Sequence, residues 1–247
     1  MSFKDNFKII EIAGLETHEW LLTKHYAHRL PSIIHAFGLF SDNKMIGVIT
    51  FGNPPCPTET MLWQPYFLYE LNRLAVIDGL ERGVLSFFVS HALEMLPKPC
   101  TVISYSDIDY GHHGYIYQAT NWIYTGIGSV NQKRYLMQNG TERHSRNKNH
   151  INMRRVKEVK LSTGKHRYFY FLGSKKDKKI MKEMLMKRYA IKKYPKGEND
   201  RYAVGKINLQ YGLGKFEAGE VSRLDMATIQ VAGAGEIPAV RTNNIYI

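Results

Sequence analysis

The chain has 247 residues, enough for one large domain or for one domain with an appendage. It is 44% hydrophobic and 23% charged, which is ordinary for a globular protein and argues against extensive disorder. No stretch reaches the roughly 20 apolar residues that a membrane-spanning helix needs, and residues 1–10 do not resemble a signal peptide. Its two cysteines, Cys56 and Cys100, do not make a disulfide framework. We therefore expect a cytoplasmic protein with reduced thiols.

The net charge of +12 is distributed unevenly along the chain. Residues 131–200 hold 21 Lys and Arg against 6 Asp and Glu, a net charge of +15. The rest of the chain holds 13 against 16, a net charge of −3. A near-neutral body with one strongly basic segment indicates a polyanionic partner, and nucleic acid is the interpretation that we favour. A solvated charged surface is the alternative.

The hydrophobic pattern of residues 1–130 predicts alternating strands and helices. In chain order these are a strand at 7–12, a helix at 15–26, a strand hairpin at 35–40 and 45–51, a strand at 67–76, a helix at 83–96, a strand at 101–104, a helix at 115–122 and a strand from 123. Such an order predicts an α/β fold with a mixed, partly parallel sheet and helices on its faces.

The pattern changes after residue 130. Residues 165–172 predict an aromatic strand, and residues 175–193 predict a basic helix. We therefore divide the chain into a core at 1–130, a basic nucleic-acid-binding part at 131–200 packed on that core, and a glycine-rich tail at 201–247.

Two turns after predicted strands carry candidate chemistry. The first, Arg82-Gly83-Val84-Leu85-Ser86, leads a strand into a helix N-terminus, where free backbone N–H groups bind anions such as phosphate. A plain strand-to-helix connection is the alternative. The second turn holds Ser106, Asp107, Asp109, His112 and His113, whose side chains suit a general base with its partners or a metal ion. Adjacent histidines point in different directions, which disfavours one closed metal site, and Asp107 could instead be a helix cap.

Two further motifs contain residue types typical of active sites. His25-Tyr26 follows a predicted helix and could supply acid–base chemistry or stack on a base. Strand alternation places Arg73 on the same face as Leu71 and opposite Asn72. Because an arginine within an apolar strand needs a partner, it either binds a ligand or pairs with Asp107 on a neighbouring strand.

Residues 20–130 contain several short sequence motifs that can be considered together. They are His25-Tyr26, Gly47–Gly52 followed by Pro54, Glu70–Leu74, Leu85-Ser86, Ser104–Asp107 and, most specifically, Gly111–Gly126. They resemble the phage Mom family, whose members place a carbamoylmethyl-type group on the adenine amino nitrogen and so protect phage DNA from restriction. The order of elements also resembles the GNAT acyltransferase core, in which the turn corresponding to Arg82–Ser86 binds the donor's pyrophosphate.

The resemblance implies a transferase in the host cytoplasm with a defined set of site residues. The donor would be acetyl-CoA or another acyl carrier, and the partner double-stranded DNA. The implied catalytic residues are His25, Tyr26, Arg73, Ser106 and Asp107. Either Asp107 or His25 would take the amine proton, and Arg73 would hold an anionic part of the donor or orient Asp107.

The basic segment and several aromatic residues would hold the DNA. Because the adenine amine is buried in the duplex, the base must be flipped out. Tyr26, Tyr117, Trp122 and Tyr124 are the candidates to stack on that base, and the alternative is that these aromatic residues belong to the core. The phosphate contacts are expected mainly within residues 143–193, from Arg143, Arg146, Lys148, Arg154 and Arg155.

Three other functions remain open at this point. They are a GNAT enzyme that acts on a small molecule or a protein, a non-catalytic nucleic-acid-binding protein, and a metal-dependent nuclease that uses Asp107, Asp109 and His112. Convergence of Arg73 and Asp107 on one cleft would favour the DNA-modifying transferase over a binding protein.

Overall fold

A computed structural model describes residues 6–128, 130, 132–144 and 151–197. The predicted tail at 201–247 lies outside the described residues. The strands are β1 (Phe7–Glu11), β2 (His35–Ser41), β3 (Lys44–Gly52), β4 (Phe67–Val76), β5 (Cys100–Asp107), β6 (Ile123–Gly128), β7 (Lys133–Met137), β8 (Glu142–His144), β9 (Val156–Leu161) and β10 (Lys165–Leu172). The α-helices are α1 (Pro57–Met61), α2 (Val84–Glu94), α3 (Tyr115–Ala119) and α4 (Lys175–Met186).

The strands form two sheets. The main sheet has seven strands in the order β1-β2-β3-β4-β5-β10-β6, and a smaller sheet has the order β8-β7-β9. Neighbouring strands of the main sheet are antiparallel except for β4 and β5, which are parallel and are connected through α2. The prediction of a mixed α/β sheet is therefore confirmed.

Helices cover both faces of the main sheet, as predicted. On one face Phe88 and Val89 of α2 pack into a core with Tyr168 of β10. On the other face Met181 and Leu185 of α4 pack against buried aromatic residues. Among the described residues, no helix is long and apolar enough to cross a membrane.

The main sheet contains a strand from the basic segment. Strand β10 (residues 165–172) lies between β5 and β6. The sheet was predicted to consist of residues 1–130 alone. The core therefore extends beyond the predicted boundary at residue 130. Tyr168 and Phe169 of β10 are both 0% exposed, because both faces of an interior strand are buried beneath helices.

The predicted helix at 15–26 is found as a helical stretch over residues 14–24, but it is irregular. A 3-10 turn covers Gly14–Thr17, and a π turn covers Trp20–Lys24. The Thr17 hydroxyl donates to Gly14 O at 2.7 Å, and Thr17 is buried at the end of the 3-10 turn.

Candidate active site between strands β4 and β5

A gap opens between the C-terminal halves of the two parallel strands. Pairing between β4 and β5 runs from Phe67 and Cys100 to Leu71 and Ser104 and ends there. Beyond this point β4 stays paired with β3, and β5 stays paired with β10. Because each strand follows its outer neighbour, the two strands separate towards their carboxyl ends, which is where open α/β sheets bind ligands.

A β-bulge at Asn72 sets the direction of Arg73. The β3–β4 register passes from Thr50 opposite Arg73 to Phe51 opposite Leu71, which leaves Asn72 as the extra residue. The Asn72 side chain accepts from Thr50 Oγ1 at 2.6 Å and donates to Ser32 O at 2.8 Å, and these bonds fix the bulge.

The bulge overturns the predicted strand faces. Leu71 and Leu74 both pack in the core beneath α2, although they are three positions apart. Arg73 therefore points to the opposite face, not to the face of Leu71, because the extra residue shifts the alternation by one.

The Arg73 guanidinium lies at the gap and is only partly hydrogen-bonded. Its Nη1 donates to Asn72 O at 2.6 Å, while its buried Nε has no partner within the described part of the chain. Burial, followed by the charge of Arg29, lowers the pKa of Arg73. Because an unbonded buried donor is unfavourable, this group is suited to bind an anionic ligand.

His25 reaches the gap from the turn that packs beside β4. The π turn Trp20–Lys24 ends at His25, whose exposure is 8%. Burial, followed by the charge of Arg73, lowers the pKa of His25 to about 3. The imidazole is therefore neutral at physiological pH. Its Nδ1 accepts a bond from Ala27 N at 3.1 Å, so the proton resides on Nε2.

Tyr26 lies between the two sides of the gap. Its ring is 4.6 Å from that of Tyr110 and 5.2 Å from that of His112, measured between centroids. Burial, followed by the negative charge of Asp107, raises the pKa of Tyr26, and Arg73 opposes this shift. The phenol thus keeps its proton and is within electrostatic reach of both Asp107 on β5 and Arg73 on β4.

Asp107 is held by cations from the C-terminal third of the chain. Its Oδ2 accepts from Arg134 Nη2 at 3.1 Å and from Lys165 Nζ at 2.9 Å. Its Oδ1 accepts from Asp109 N at 3.2 Å and caps the 3-10 turn Ile108–Tyr110. The alternative in which Arg73 pairs with Asp107 is not found among the described residues, where Arg134 and Lys165 contact the carboxylate instead.

Ser106 and the metal-type side chains have structural contacts. Ser106 Oγ donates to His112 O at 2.6 Å and so holds the loop that follows β5. Asp109 accepts from Arg134 at 3.1 Å. Within the described residues, no group of three His, Cys, Asp or Glu side chains is arranged to hold a metal ion. The nuclease alternative therefore gains no support from Asp107, Asp109 and His112.

Comparison with known sequences assigns the family. A profile of the Mom protein family matches residues 6–196. The chain belongs to the Mom family. It is similar to the methylcarbamoylase mom of Escherichia phage Mu, with 28% identity over 193 residues, which cover 70% of this chain and 77% of that protein.

Solved acetyltransferase structures are also similar at low sequence identity. The polyamine N-acetyltransferase of Drosophila melanogaster is 10% identical with a TM-score of 0.40, covering 67% of this chain and 100% of that one. An acetyltransferase of Bacillus subtilis in complex with CoA is 11% identical with a TM-score of 0.36, covering 68% and 98%.

The aromatic residues that were expected to stack on a flipped base are core residues of this Mom protein. Tyr117, Trp122 and Tyr124 are 8%, 0% and 6% exposed and pack among themselves and Tyr168. The structure contradicts the stacking prediction, because α3 and β6 turn these rings inward. Tyr110, which the sequence analysis did not single out, is partly exposed beside Tyr26 instead.

The predicted donor turn has the geometry of a helix N-terminus. Gly83 caps α2 with a φ of 97°, and Ser86 Oγ donates back to Gly83 O at 2.9 Å. Arg82 is exposed, Leu85 is half-buried, and Val84 is 0% exposed within the core. The side chain of Val84 therefore cannot contact a donor, and its N–H group already donates to Glu81 O at 3.2 Å. The N–H groups of Leu85 and Ser86 are the candidates for anion binding in the first turn.

The predicted DNA contacts fall partly on the smaller sheet. Arg143 on β8 and the neighbouring pair Arg154 and Arg155 before β9 are exposed. Arg146 and Lys148 lie outside the described residues. These three exposed arginines lie within residues 143–193, the segment in which the sequence predicts phosphate binding.

Proposed function

We propose that this Mom protein is a DNA-modifying transferase that places a carbamoylmethyl-type group on the exocyclic amine of adenine. The observation that carries the proposal is the convergence of His25, Tyr26 and Arg73 at the gap between β4 and β5. Family membership and the name of the phage Mu relative, a methylcarbamoylase, support the transferred group. Such a modification would protect phage DNA from restriction.

The chemistry assigned to the gap is a nucleophilic substitution. The amine nitrogen forms a bond to the donor's carbon while the bond from that carbon to the leaving group breaks. Tyr26, whose raised pKa keeps it protonated, gives a proton to the leaving group. Arg73 holds an anionic part of the donor through its unbonded Nε, and His25 donates a hydrogen bond from Nε2.

Asp107 has a positional role in this proposal. Both of its oxygens are already bonded, and its side chain is 3% exposed. It therefore holds the loop after β5 in place. The alkylated amine is strongly acidic, so its proton passes to solvent without a dedicated base. Ser106 supports the same loop through His112 O.

The donor is proposed to be an acyl carrier that holds the carbamoylmethyl-type group through a leaving group on the attacked carbon and places an anionic group at the N-terminus of α2. Acetyl-CoA by itself lacks both the amide nitrogen and that leaving group, so it could donate only an acetyl group. The N–H groups of Leu85 and Ser86, the helix dipole and the exposed Arg82 favour negative charge there. Because α2 follows β4 directly, this N-terminus lies at the carboxyl edge of the sheet, on the side of the gap.

Duplex DNA is the proposed partner of the basic segment. Arg143, Arg154 and Arg155 would contact phosphates, and the flipped adenine would lie against Tyr26 and Tyr110. The +15 charge of residues 131–200 supports this partner over a small molecule or a protein.

Mass analysis of nucleosides tests the proposal. DNA from cells that express the protein should contain a new adenine nucleoside, and DNA from cells that express Arg73→Met at equal level should not. Arg73→Lys, which keeps the charge but loses the planar fork, should give an intermediate yield. If folded wild-type protein left every adenine unmodified, the proposed activity would be wrong.

A further inference from the structure

The loop Asp107–Gly114 forms one wall of the gap and has little regular structure of its own. It contains a single 3-10 turn, Ile108–Tyr110, followed by Gly111 with a φ of 69°. Tyr110 and His112 of this loop contact the ring of Tyr26. The position of this wall therefore depends on side-chain bonds from elsewhere in the chain.

Arg134 supplies the central bond to this loop. Its Nη2 lies 3.1 Å from Asp107 Oδ2 and 3.1 Å from Asp109 Oδ2. One guanidinium thus binds both carboxylates of the loop. Lys165 Nζ, 2.9 Å from Asp107 Oδ2, is a second cation but reaches only Asp107.

The turn between β9 and β10 completes the attachment at Asp109. Thr163 donates to Asp109 Oδ1 from N at 3.1 Å and from Oγ1 at 2.6 Å, and Ser162 Oγ donates to Oδ2 at 3.1 Å. Burial raises the pKa of Asp109, but these bonds and the charge of Arg134 outweigh it and lower the pKa. Asp109 is therefore a firmly ionised anchor.

Arg134 belongs to the smaller, basic sheet. It lies on β7, the central strand, whose neighbours are β8 and β9. Arg143, Arg154 and Arg155 of the same region are exposed, whereas the Arg134 side chain is 14% exposed and turned towards the loop. Burying a cation between two carboxylates adds little net stability compared with apolar packing, so a role in specific geometry is the better explanation.

We propose that Arg134 is a positioning residue that couples the basic sheet to the wall of the active site. The inference rests on the proposed function. The sheet that is assigned to phosphate binding is bonded through one guanidinium to Asp107 and Asp109, which hold Tyr110 and His112 against Tyr26. Arg134 thereby keeps the loop in the arrangement needed for group transfer once DNA is bound.

The test compares Arg134→Met with Lys44→Met, which removes an exposed cation from β3, outside the basic segment. At saturating DNA and donor, Arg134→Met should lower kcat at least tenfold with KM for DNA changed less than threefold. Lys44→Met should leave kcat unchanged. Arg134→Lys, which keeps the charge but loses the planar guanidinium, should give a kcat between wild type and Arg134→Met.

Hydrogen exchange gives a second readout that does not need activity. Amides of residues 107–114 should exchange faster in Arg134→Met than in wild type or Lys44→Met. If wild type proved inactive on DNA, the proposed function would fail while this exchange difference still tested the coupling. Wild-type kcat together with unchanged exchange in Arg134→Met would overturn the inference. If Arg134→Met did not fold, an unchanged kcat in Arg134→Lys would do the same.

Discussion

At the scale of single residues, the gap holds neutral hydrogen-bonding groups beside one cation. Burial lowers the pKa of His25 and raises the pKa of Tyr26, so both side chains are uncharged at physiological pH. Arg73 supplies the positive charge next to them. This combination suits binding of an anionic donor and protonation of its leaving group.

The lowered pKa of His25 predicts acid sensitivity of the fold. The folded pKa is about 3 and the unfolded value is about 6.5, so the unfolded state binds the proton first as the pH falls. Stability from this group is complete above pH 6.5 and is lost as the pH falls towards 3. Between pH 7.5 and 5 the wild type should lose about 2 kcal/mol more than His25→Gln does. Urea unfolding of both proteins at the two pH values measures this difference, and equal losses would contradict it.

Some site residues could be found from the sequence and others could not. His25, Tyr26 and Arg73 were predicted because their motifs resemble those of the Mom family; the residue patterns alone left other roles open. Arg134 gave no distinct signal, since it is one of 21 cations in its segment and its partner Asp107 is 27 positions away. Long-range pairing of this kind is decided by tertiary packing, which local patterns do not record.

At the scale of elements, one extra residue in β4 determines which face carries Arg73. Strict alternation placed Arg73 with Leu71, whereas the bulge at Asn72 places it on the other face. Nothing in the pattern of residues 67–76 marks the bulge, because it is fixed by bonds from Asn72 to Thr50 and Ser32 on other segments. Bulges beside active sites often redirect a side chain in this way.

The N-terminus of α2 gives a second prediction. Leu85→Asp places a negative charge in the first turn of α2. That charge interacts favourably with the helix dipole but repels an anionic donor. Ser90→Asp places the same charge at an exposed site farther along α2. The KM for the donor should rise at least tenfold in Leu85→Asp and little in Ser90→Asp, with both melting temperatures near that of wild type. A KM equal to that of wild type in Leu85→Asp would place the donor's anion elsewhere.

At the scale of the whole molecule, the sequence predicted a mixed sheet but not which strands form it. Helix and strand periodicity identified most strands, and the crossover through α2 made β4 and β5 parallel neighbours as expected. The insertion of β10 between β5 and β6 was not anticipated, because antiparallel partners distant in sequence leave no local signal. The basic segment therefore contributes to the main sheet as well as to the smaller sheet.

The uneven charge predicts where DNA affinity resides. Arg154→Gln with Arg155→Gln removes two exposed cations from the basic segment, and Lys8→Gln with Lys44→Gln removes two exposed cations from elsewhere. Each lost phosphate contact should reduce the slope of log affinity against log salt by about 0.9. The arginine pair should thus reduce the slope by about 2, and the lysine pair should leave it unchanged. Equal slopes for the two double variants would remove the basis for this DNA site.

The most direct test of the central claim, that the gap between β4 and β5 is the catalytic centre, is the fraction of modified adenine in DNA co-expressed with Tyr26→Phe. Tyr170→Phe removes the same hydroxyl from a half-buried ring packed on Trp122 in the core. We predict that Tyr26→Phe, although folded, leaves less than a hundredth of the wild-type modification, as expected for loss of a general acid worth roughly 10²–10⁴-fold. Tyr170→Phe should modify adenine as the wild type does. Wild-type levels of modified adenine with Tyr26→Phe would contradict the assignment of the gap as the active site.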